Sequence, residues 1–416
     1  MNHSDVVATP NNSGSDPSST AQRMFDVVVI GGGNAGISAA ARLTRKGIDN
    51  VAVVEINQVH TYRPLLSYVG GGQAQLSAAE RTQRSVIPAG VTWVEDSAES
   101  IDPGAHTVTT ASGQQLRYRD LVLGTGLVPD HTALPGIDEA LDSPSVASNY
   151  VHRAEKTWEL VRSMSPRGRA VFTVPRAPVS CTGTTLKPLF LAAAQWRSDG
   201  RLPGIDITLV IDRPNMLGVP DLDRRIRERL RQLDVRVVEH AAVTTLRPGQ
   251  RSITVTGADG SSEDVQYDFL HLVPPFRGQE WLGHTGLTDP NRHGLVDVDP
   301  HTFQHRSHPD VWAVGDGAAI ETDPSGGGLR KQVGILVDNI LAARDGRKLG
   351  SYDGYTVAPI PIDAHTLIAG EFDRTGQVTS SLPSFLDPLE PRRSAWAFDR
   401  YVLPRVYWYS ILKGRV

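Results

Sequence analysis

The sequence predicts an α/β fold that contains two successive β-α-β units. The first observation is Asp26–Ile30, a short run dominated by β-branched residues that is typical of a buried parallel strand. The second is a similar run at Ala170–Val174, followed by a predicted helix at Lys187–Trp196 and another strand at Ile207–Ile211. An amphipathic helix is then predicted over Leu222–Leu233, whose apolar stripe comprises Leu222, Ile226, Leu230 and Leu233. Strands that alternate with helices in this way favour parallel sheets covered by helices.

A glycine-rich turn follows the first strand and opens a helix that we predict over Ala35–Arg45. Three glycines have the G-x-G-x-x-G spacing: Gly31, Gly33 and Gly36. Such glycines allow a tight turn, close approach of backbone N–H groups to a pyrophosphate, and packing of helix on strand. The next strand, Val51–Val54, leads into Glu55, 19 residues after the last glycine, where a carboxylate can bind ribose hydroxyls. The combination predicts a dinucleotide site, and a turn without a ligand is the weaker interpretation.

Length and charge limit the class of protein. The 416 residues suffice for two or three domains, and the net charge of −4 gives no argument for a nucleic-acid partner. No apolar run approaches the roughly 18 residues that span a bilayer. Residues 1–23 have almost no apolar content, so we expect a disordered tail without a secretory signal and a cytoplasmic protein. The thirteen histidines lack ligand-like spacing, so no metal site is predicted.

The single cysteine, Cys181, excludes any mechanism that cycles a dithiol within one chain. It lies in Pro175–Gly183, the loop after the first strand of the second unit. The two prolines of this loop lack N–H donors and replace the glycines that a pyrophosphate needs, which argues against NAD(P)H in this unit. Because Cys181 precedes a helix, we expect a lowered pKa and a nucleophilic thiol. The alternative is a buried, inert thiol.

Further elements complete the first unit. Three short strands are predicted to form a small covering sheet: Val91–Val94, Thr107–Thr110 and Leu116–Arg119. A buried strand at residues 121–123 then runs into a glycine turn with Thr125 and Gly126, which either returns the chain to a nucleotide or turns at a sheet edge. Prolines between residues 129 and 144 predict a linker. A strand that begins at Val311 leads into Asp316, and a helix is predicted over Lys331–Arg344.

Short motifs along the chain carry a resemblance to a known family. They include Val-Val-Val-Ile-Gly-Gly-Gly-Asn-Ala-Gly-Ile from residue 27, Val-Ser-Cys-Thr-Gly at 179–183, Leu-Val-Asp-Val-Asp at 295–299, Tyr-Asp-Gly-Tyr at 352–355 and Ala-Gly-Glu-Phe at 369–372. From about Phe25 to about Arg415, the chain resembles the type II sulfide:quinone oxidoreductases of the pyridine-nucleotide-disulfide flavoprotein superfamily. The resemblance implies FAD, two Rossmann-like three-layer units, a quinone, a small sulfur reductant and peripheral contact with the inner face of the cell membrane.

The resemblance also implies which residues hold FAD. Five would lie at the pyrophosphate: Gly31, Gly33, Asn34, Ala35 and Gly36. Glu55 would bind the ribose, and Arg63 and Ala98 would line the adenosine and the flavin, with Arg63 in place of the usual glutamine.

Later segments would complete this site. Thr125 and Gly126 would return to the cofactor, and Glu280 matches an acidic contact position. Asp316 would hold the ribityl chain together with the start of the helix that follows. That helix start comprises Gln332, Val333, Gly334 and Ile335.

One departure from the family concerns the sulfur chemistry. The family uses two cysteines on the sulfide side, and this chain has only Cys181. The resemblance places the second directly after a Gly-Asp pair, where this chain has Gly317. We therefore expect altered sulfur chemistry. Two alternatives stay open, an NADH:quinone-type dehydrogenase and a catalytically degenerate FAD-binding protein.

The last segment is rich in aromatic and basic residues. Residues 396–409 hold six aromatics in fourteen positions, against 6% aromatics in the whole chain, and arginines flank them. This composition favours a segment that lies on anionic lipid, and Pro404 predicts two short helices instead of one. The alternative is packing on the flavin domain or in a dimer, so a homo-oligomer stays open.

The predicted division of the chain follows from these segments. It comprises the tail at 1–23, the two parts of an FAD-binding domain at 24–150 and 291–365, the domain with Cys181 at 151–290, and the C-terminal segment at 366–416.

Overall fold

The computed structural model describes residues 23–151, 153–380 and 387–416. The tail expected at residues 1–23 lies outside this part of the chain, except for Arg23, which begins the first strand.

The strands are β1 Arg23–Ile30, β2 Val51–Val54, β3 Val59–Thr61, β4 Glu80–Thr82, β5 Thr92–Val94, β6 Ala98–Asp102, β7 Thr107–Thr110, β8 Gln115–Leu123, β9 Val128–Pro129, β10 Val146–Ala147, β11 Arg169–Val174, β12 Asp206–Ile211, β13 Arg236–Glu239, β14 Ala241–Arg247, β15 Ser252–Gly257, β16 Ser262–Gln266, β17 Phe269–His271, β18 Phe276–Arg277, β19 Thr288–Asp289, β20 Leu295–Val296, β21 Val311–Ala313, β22 Thr356–Asp363, β23 Thr366–Phe372 and β24 Val378–Thr379. The α-helices are α1 Asn34–Arg45, α2 Leu66–Gly70, α3 Leu76–Ala79, α4 Gln83–Val86, α5 Ile137–Asp142, α6 Ala154–Ser163, α7 Thr182–Thr185, α8 Lys187–Ser198, α9 Pro220–Gln232, α10 Gly326–Arg344, α11 Arg393–Ala397 and α12 Leu403–Tyr409. A π-helical turn spans Phe398–Val402. Short 3-10 turns lie at Arg63–Leu65, Leu202–Gly204, Pro248–Gln250, Glu280–His284, Pro290–Arg292 and Ile411–Lys413.

The first sheet is organised around β1. Its order is β5-β2-β1-β8-β7-β6, and β21 also pairs with β8. Strands β2, β1, β8 and β21 are parallel, with Ile30 opposite both Val54 and Leu123. The residues of β1 from Val27 to Ile30 are buried on both faces, which explains their uninterrupted apolar run. The carboxyl ends of these strands therefore lie along one edge of the sheet.

Three predictions for this region are wrong in detail. Gln115–Leu123 is one strand, because its first residues pair with β7 while residues 116–123 pair with β1. Residues 92–94 pair with β2 in the parallel sheet, so the antiparallel extension contains only β6 and β7 beside β8. The expected linker at residues 129–144 contains α5, whose Ile137 and Leu141 are buried.

The second unit is a parallel five-stranded sheet in the order β10-β17-β11-β12-β13. Helices α8 and α9 contribute to the core on one face, where the predicted apolar stripe of α9 is buried at Leu222, Ile226 and Leu230. The antiparallel strands β14, β15 and β16 contribute to the core on the other face. These three layers confirm the predicted second Rossmann-like unit.

The C-terminal residues join both units. Ala358 and Ile360 of the β22–β23 hairpin belong to the core of the second unit, whereas Tyr407 and Leu412 belong to the core of the first. The expected boundary between residues 365 and 366 falls within this hairpin. Pro404 does not separate two helices, because the helical path continues through the π-helical turn and places Pro404 in the first turn of α12, where an N–H is not required.

Candidate functional site

The glycine turn adopts the geometry that its spacing predicts. Gly31 has φ +100°, and a Cβ there would lie 2.6 Å from the carbonyl oxygen of Gly124. A Cβ on Gly36 would lie 1.8 Å from the carbonyl oxygen of Gly31, so helix and turn are in direct backbone contact. A Cβ on Gly33 would meet no atom within 4 Å, so the space beside it is open to a ligand.

The N-terminus of α1 faces this open space. The N–H of Ile37 donates to the carbonyl oxygen of Gly33 at 3.0 Å, so the N–H groups of Asn34, Ala35 and Gly36 lie in the first turn, without acceptors inside the helix. Uncapped N–H groups and the positive end of the helix dipole suit an anionic group.

Glu55 lies at the end of β2, beside the turn. Its Oε2 accepts the N–H of Gly32 at 2.8 Å, and its Oε1 accepts the backbone N–H of Asn57 at 2.7 Å. Oε1 also accepts Nδ2 of Asn57 at 2.6 Å, so Oε2 is the oxygen that keeps a lone pair for a hydroxyl group. The hydrogen bonds to Gly32 and Asn57 hold the carboxylate of Glu55 beside the glycine turn. The sequence predicts a ribose contact at this position.

Three segments meet at the start of α1. A Cβ on Gly124 or on Gly315 would lie 3.2 Å from the Cβ of Ala35. A Cβ on Gly317 would lie 3.1 Å from Oγ1 of Thr125 and 2.7 Å from the carbonyl oxygen of Gly126. The tertiary structure therefore brings Thr125, Gly126 and the loop with Asp316 to the glycine turn, and their contact with a cofactor stays a prediction.

The helix after Asp316 begins earlier than predicted. It starts at Gly326, because Ser325 accepts the N–H of Gly328 at 3.0 Å and caps a glycine-rich first turn. The residues expected at the helix start, 332–335, therefore lie inside the helix. Gln332 and Val333 are buried, whereas Gly334 and Ile335 are half-buried. Gln332 still reaches the site, because its Oε1 accepts the N–H of Gly315 at 3.3 Å.

Three more of the residues predicted to contact FAD lie on segments outside the glycine turn. Arg63 is exposed, but its charge opposes the rise in the pKa of Asp316 that burial causes. Ala98 is half-buried at the start of β6, and Glu280 is exposed at the start of a 3-10 turn. The neighbour of Glu280, Gln279, was missed: its side-chain amide donates to the carbonyl oxygen of Thr125 at 3.1 Å.

These residues fit FAD. The open cradle at Gly33, the uncapped N–H groups of α1 and the carboxylate of Glu55 suit a pyrophosphate joined to a ribose. The half-buried carboxylate of Asp316 and the amide of Gln332 could hold the polyhydroxyl chain and the flavin ring edge.

The environment of Cys181 corrects the predicted pKa. Burial, with the nearby charge of Asp323 as the second cause, raises the pKa of the thiol to about 11. The hydroxyl of Thr184 donates to Sγ at 3.1 Å and opposes this rise. The prediction of a lowered pKa is wrong because α7 has only four residues, so its dipole is weak compared with burial and a carboxylate.

A polar network surrounds this thiol. Asp323 accepts the N–H of Thr182 at 3.2 Å and also accepts its hydroxyl. Arg213 donates from Nη1 to Oγ1 of Thr182 at 2.8 Å. The hydroxyl of Tyr150 donates to the carbonyl oxygen of Cys181 at 3.2 Å. Asp323, Arg213 and Tyr150 were not predicted, since no motif or spacing relates them to Cys181 in sequence.

The thiol loop is joined to the loop that follows Asp316 through the contacts of Thr182 with Asp323, and the nearby side chain of Ser180 opposes the rise in the pKa of Asp316. Sγ of Cys181 faces β22, at 3.9 Å from the carbonyl oxygen of Val357. Gly317, the expected position of a second cysteine, instead packs against Gly126.

The aromatic C-terminal segment has two faces. Tyr407 and Trp408 are buried in the first unit, whereas Phe398, Tyr401 and Tyr409 are exposed. Packing on the domain, one of the two alternatives for this segment, therefore applies to Tyr407 and Trp408. Contact with lipid or with a partner, the other alternative, is open to the exposed set. Within the described ranges, no helix has the length and apolar character needed to cross a membrane.

Known proteins resemble the whole chain. The family model described as pyridine nucleotide-disulphide oxidoreductase matches residues 25–335. The mitochondrial sulfide:quinone oxidoreductase of Mus musculus is 32% identical over 400 residues, which cover 95% of this chain and 88% of that protein. The mitochondrial enzyme of the same name from Dictyostelium discoideum is 32% identical over 398 residues, covering 94% and 86%.

A solved structure shows the same fold. The X-ray structure of the sulfide:quinone oxidoreductase from Aquifex aeolicus superposes with a TM-score of 0.78 at 19% identity, covering 94% of this chain and 92% of that chain. The family model, the two relatives and the two Rossmann-like units agree. The chain belongs to the sulfide:quinone oxidoreductases of the pyridine nucleotide-disulphide oxidoreductase family and is an FAD-dependent oxidoreductase.

Proposed function

We propose that this oxidoreductase passes electrons from a small sulfur-containing reductant through FAD to a quinone. When bound, FAD supplies the redox group that accepts electrons from one substrate and gives them to the other. We assign Cys181 to the reductant side as the catalytic residue. The FAD contacts are those predicted at the glycine turn, Glu55, Asp316 and Gln332.

One observation carries the assignment of Cys181. The backbone N–H of its neighbour Thr182 donates to Oδ2 of Asp323 at 3.2 Å, and Asp323 lies in the loop between Asp316 and α10. The only thiol of the chain is thus held next to the proposed flavin site by a direct contact between the two units. Cys181 is half-buried among Tyr150, Thr184 and Asp323, which would shield a reactive sulfur species in part from water and leave the thiol accessible to a small substrate.

Altered sulfur chemistry is part of the proposal, because a chain with one cysteine cannot close an internal disulfide. The proposed loss of a second thiol depends on the composition of the chain and not on the position of Gly317. Gly317 packs closely against the backbone of Gly126, and Sγ of Cys181 faces Val357.

The exposed face of the C-terminal segment supports peripheral contact with a membrane that contains the quinone. Phe398 and Tyr409 are 51% and 65% exposed, and Arg393 and Arg405 are exposed on the same segment. Aromatic rings with nearby cations suit the boundary between lipid headgroups and acyl chains.

An NADH:quinone activity is the alternative, and the second unit argues against it. The loop after β11 contains Pro175 and Pro178, and Arg213 already donates from Nε to the carbonyl oxygen of Pro175 at 2.8 Å. A rigid loop of this kind offers fewer N–H groups to a pyrophosphate than a glycine turn.

Anaerobic stopped-flow mixing tests the proposal. We expect sulfide or a low-molecular-weight persulfide to bleach the flavin absorbance, and a soluble quinone to restore it. Cys181→Ser should slow bleaching by at least about a hundredfold, as is typical when a nucleophile is lost. Thr184→Val is the matched control, because it removes a hydrogen bond to Sγ and keeps the thiol.

The outcomes separate the alternatives. If no sulfur donor bleaches the flavin, the sulfur part of the proposal is wrong. Rapid bleaching by NADH would establish the dehydrogenase alternative. Bleaching by sulfide that is unchanged in Cys181→Ser would remove Cys181 from the mechanism.

A further inference from the structure

The backbone of Gly32 is held by hydrogen bonds at its N–H and at its carbonyl oxygen. Its N–H donates to Glu55 at 2.8 Å, and its carbonyl oxygen accepts Nδ1 of His60 and Nε2 of Gln83, both at 2.9 Å. Gly32 is a variable position of the G-x-G-x-x-G pattern. Here it has no room for a side chain, because a Cβ would lie 2.4 Å from Nε2 of Gln83 and 2.6 Å from Cγ of Glu55.

The hydrogen bonds define the protonation of His60. A carbonyl oxygen only accepts, so Nδ1 of His60 carries the proton that bonds to Gly32. Burial lowers the pKa of His60 and keeps the ring neutral. Nε2 is therefore an acceptor, and the hydroxyl of Tyr407 donates to it at 2.5 Å.

Packing holds Tyr407 in this position. Its ring centroid lies 4.4 Å from that of Tyr62 and 5.0 Å from that of Trp408. Tyr407 is 3% exposed and belongs to α12. A continuous chain of hydrogen bonds therefore runs from the C-terminal helix through His60 to the glycine turn.

The orientation of the Gly32 peptide bears on anion binding. If the peptide unit between Gly32 and Gly33 turned over, the carbonyl oxygen of Gly32 would face the space beside Gly33 and repel a pyrophosphate. With the carbonyl held by two donors, the neighbouring N–H groups at the start of α1 present a positive electrostatic surface. Gln83 and His60 hold this peptide unit in its orientation directly, and Tyr407 holds His60.

We propose that Gln83, His60 and Tyr407 are positioning residues for FAD, and that they make retention of the cofactor depend on the docked C-terminal helix. The proposal rests on the placement of the pyrophosphate at the glycine turn. It does not depend on the identity of the reductant. A chain in which no sulfur donor reduces the flavin would still show the predicted dependence of FAD release.

Release of FAD from the full-length holoprotein tests this inference. Tyr407→Phe removes the hydroxyl and keeps the stacked ring, so the flavin fluorescence that appears on release should rise about 3- to 10-fold faster, the effect of one net hydrogen bond. The matched control is Tyr409→Phe, the same change two residues along α12 on a side chain that is 65% exposed. It should release FAD at the wild-type rate.

A second variant guards against misfolding of the first. Gln83→Met keeps the volume of a buried side chain and removes its donor to Gly32, so it should also accelerate release. The inference is overturned if Tyr407→Phe and Gln83→Met lower the melting temperature but release FAD within twofold of the wild-type rate. It is equally overturned if Tyr409→Phe accelerates release as much as Tyr407→Phe.

Discussion

Sγ of Cys181 lies 3.9 Å from the carbonyl oxygen of Val357, so the thiol faces the C-terminal hairpin. The adjacent residue of that strand, Ala358, is buried against Gly183, since a Cβ on Gly183 would lie 2.8 Å from the Cβ of Ala358. The proposed reductant side of the site therefore borders β22, which follows the proposed flavin-binding helix α10 in the chain.

Gly317→Cys tests the assignment of a second cysteine position. The new Cβ would lie 2.7 Å from the backbone oxygen of Gly126, and we expect overpacking to lower the free energy of unfolding by about 1–3 kcal/mol. Urea denaturation measures this loss. Gly249→Cys is the control, because a Cβ there meets no atom within 4 Å. A stable variant with a disulfide between residues 181 and 317 would show that Gly317 does face the thiol.

The single thiol allows its pKa to be read from alkylation by iodoacetamide. With a pKa of about 11, the rate should rise about tenfold per pH unit from pH 7 to 10, since only the thiolate reacts. Asp323→Asn removes a negative charge and should shift the profile to lower pH, whereas Thr184→Val should shift it higher. A half-maximal rate near pH 7 would contradict the raised pKa of the thiol.

The same pKa has a consequence for stability. The folded chain holds the proton of Cys181 more tightly than the unfolded chain, whose thiol has the ordinary value of 9.0. The resulting stabilisation is present below pH 9 and is lost as the pH rises through about 11. The difference in the free energy of unfolding between the wild type and Cys181→Ser, measured by urea denaturation, should therefore be smaller at pH 10.5 than at pH 8.

A buried ion pair links the second unit to the C-terminal segment. Nζ of Lys187 lies 3.0 Å from Oδ2 of Asp399, and the side chains are 0% and 5% exposed. Asp399→Asn leaves the lysine charge buried without its partner, so we expect a loss of about 3–5 kcal/mol in the free energy of unfolding. The additional hydrogen bond from Tyr68 to Asp399 at 2.6 Å should contribute less, about 1 kcal/mol in Tyr68→Phe.

A surface pair provides the comparison for this effect. Asp221 and Arg224 lie 2.7 Å apart with both side chains about two-thirds exposed, so Asp221→Asn should change stability by less than about 0.5 kcal/mol. Chemical denaturation of the variants gives each value. Equal effects in Asp221→Asn and Asp399→Asn would refute the buried junction.

Two glycines of the turn should respond differently to alanine. Gly36→Ala places a Cβ 1.8 Å from the carbonyl oxygen of Gly31, so it should impair folding itself. Gly33→Ala has open space around the new methyl group, so the free energy of unfolding without FAD should change by less than about 1 kcal/mol. If the pyrophosphate occupies that space, FAD should bind at least about tenfold more weakly, a difference of about 1.4 kcal/mol. Fluorescence titration with FAD measures the affinity, and unchanged binding would place the pyrophosphate elsewhere.

Sedimentation with vesicles tests the exposed face of the C-terminal segment. The double variant Phe398→Ser and Tyr401→Ser should bind phosphatidylglycerol vesicles about tenfold more weakly, because apolar area is lost, while its stability stays unchanged. Met24→Ser, a change at a residue 56% exposed on β1, is the control. Equal binding of all three proteins would favour a protein partner at this face.

The local pattern of the sequence predicted the core of both units. The strands β1, β2, β11 and β12 and the helices α1, α8 and α9 depend on apolar periodicity and turn residues within short windows. The details that failed depend on distant pairing. The merging of residues 115–123 into one strand requires β1, and the earlier start of α10 depends on Ser325, whose Oγ also accepts the N–H of Val357 at 3.2 Å.

The sequence by itself determined the glycine turn with Glu55, the lone thiol and the loss of a second pyrophosphate loop, because each of these features depends on residues that are close together in the chain. Only the tertiary structure decided the chemistry around them. Asp323 raises the pKa of Cys181 from 142 residues away in the chain, and Tyr407 reaches His60 across 347 residues. Contacts of this kind arise where packed elements meet, and they leave no periodic or motif signal in the chain.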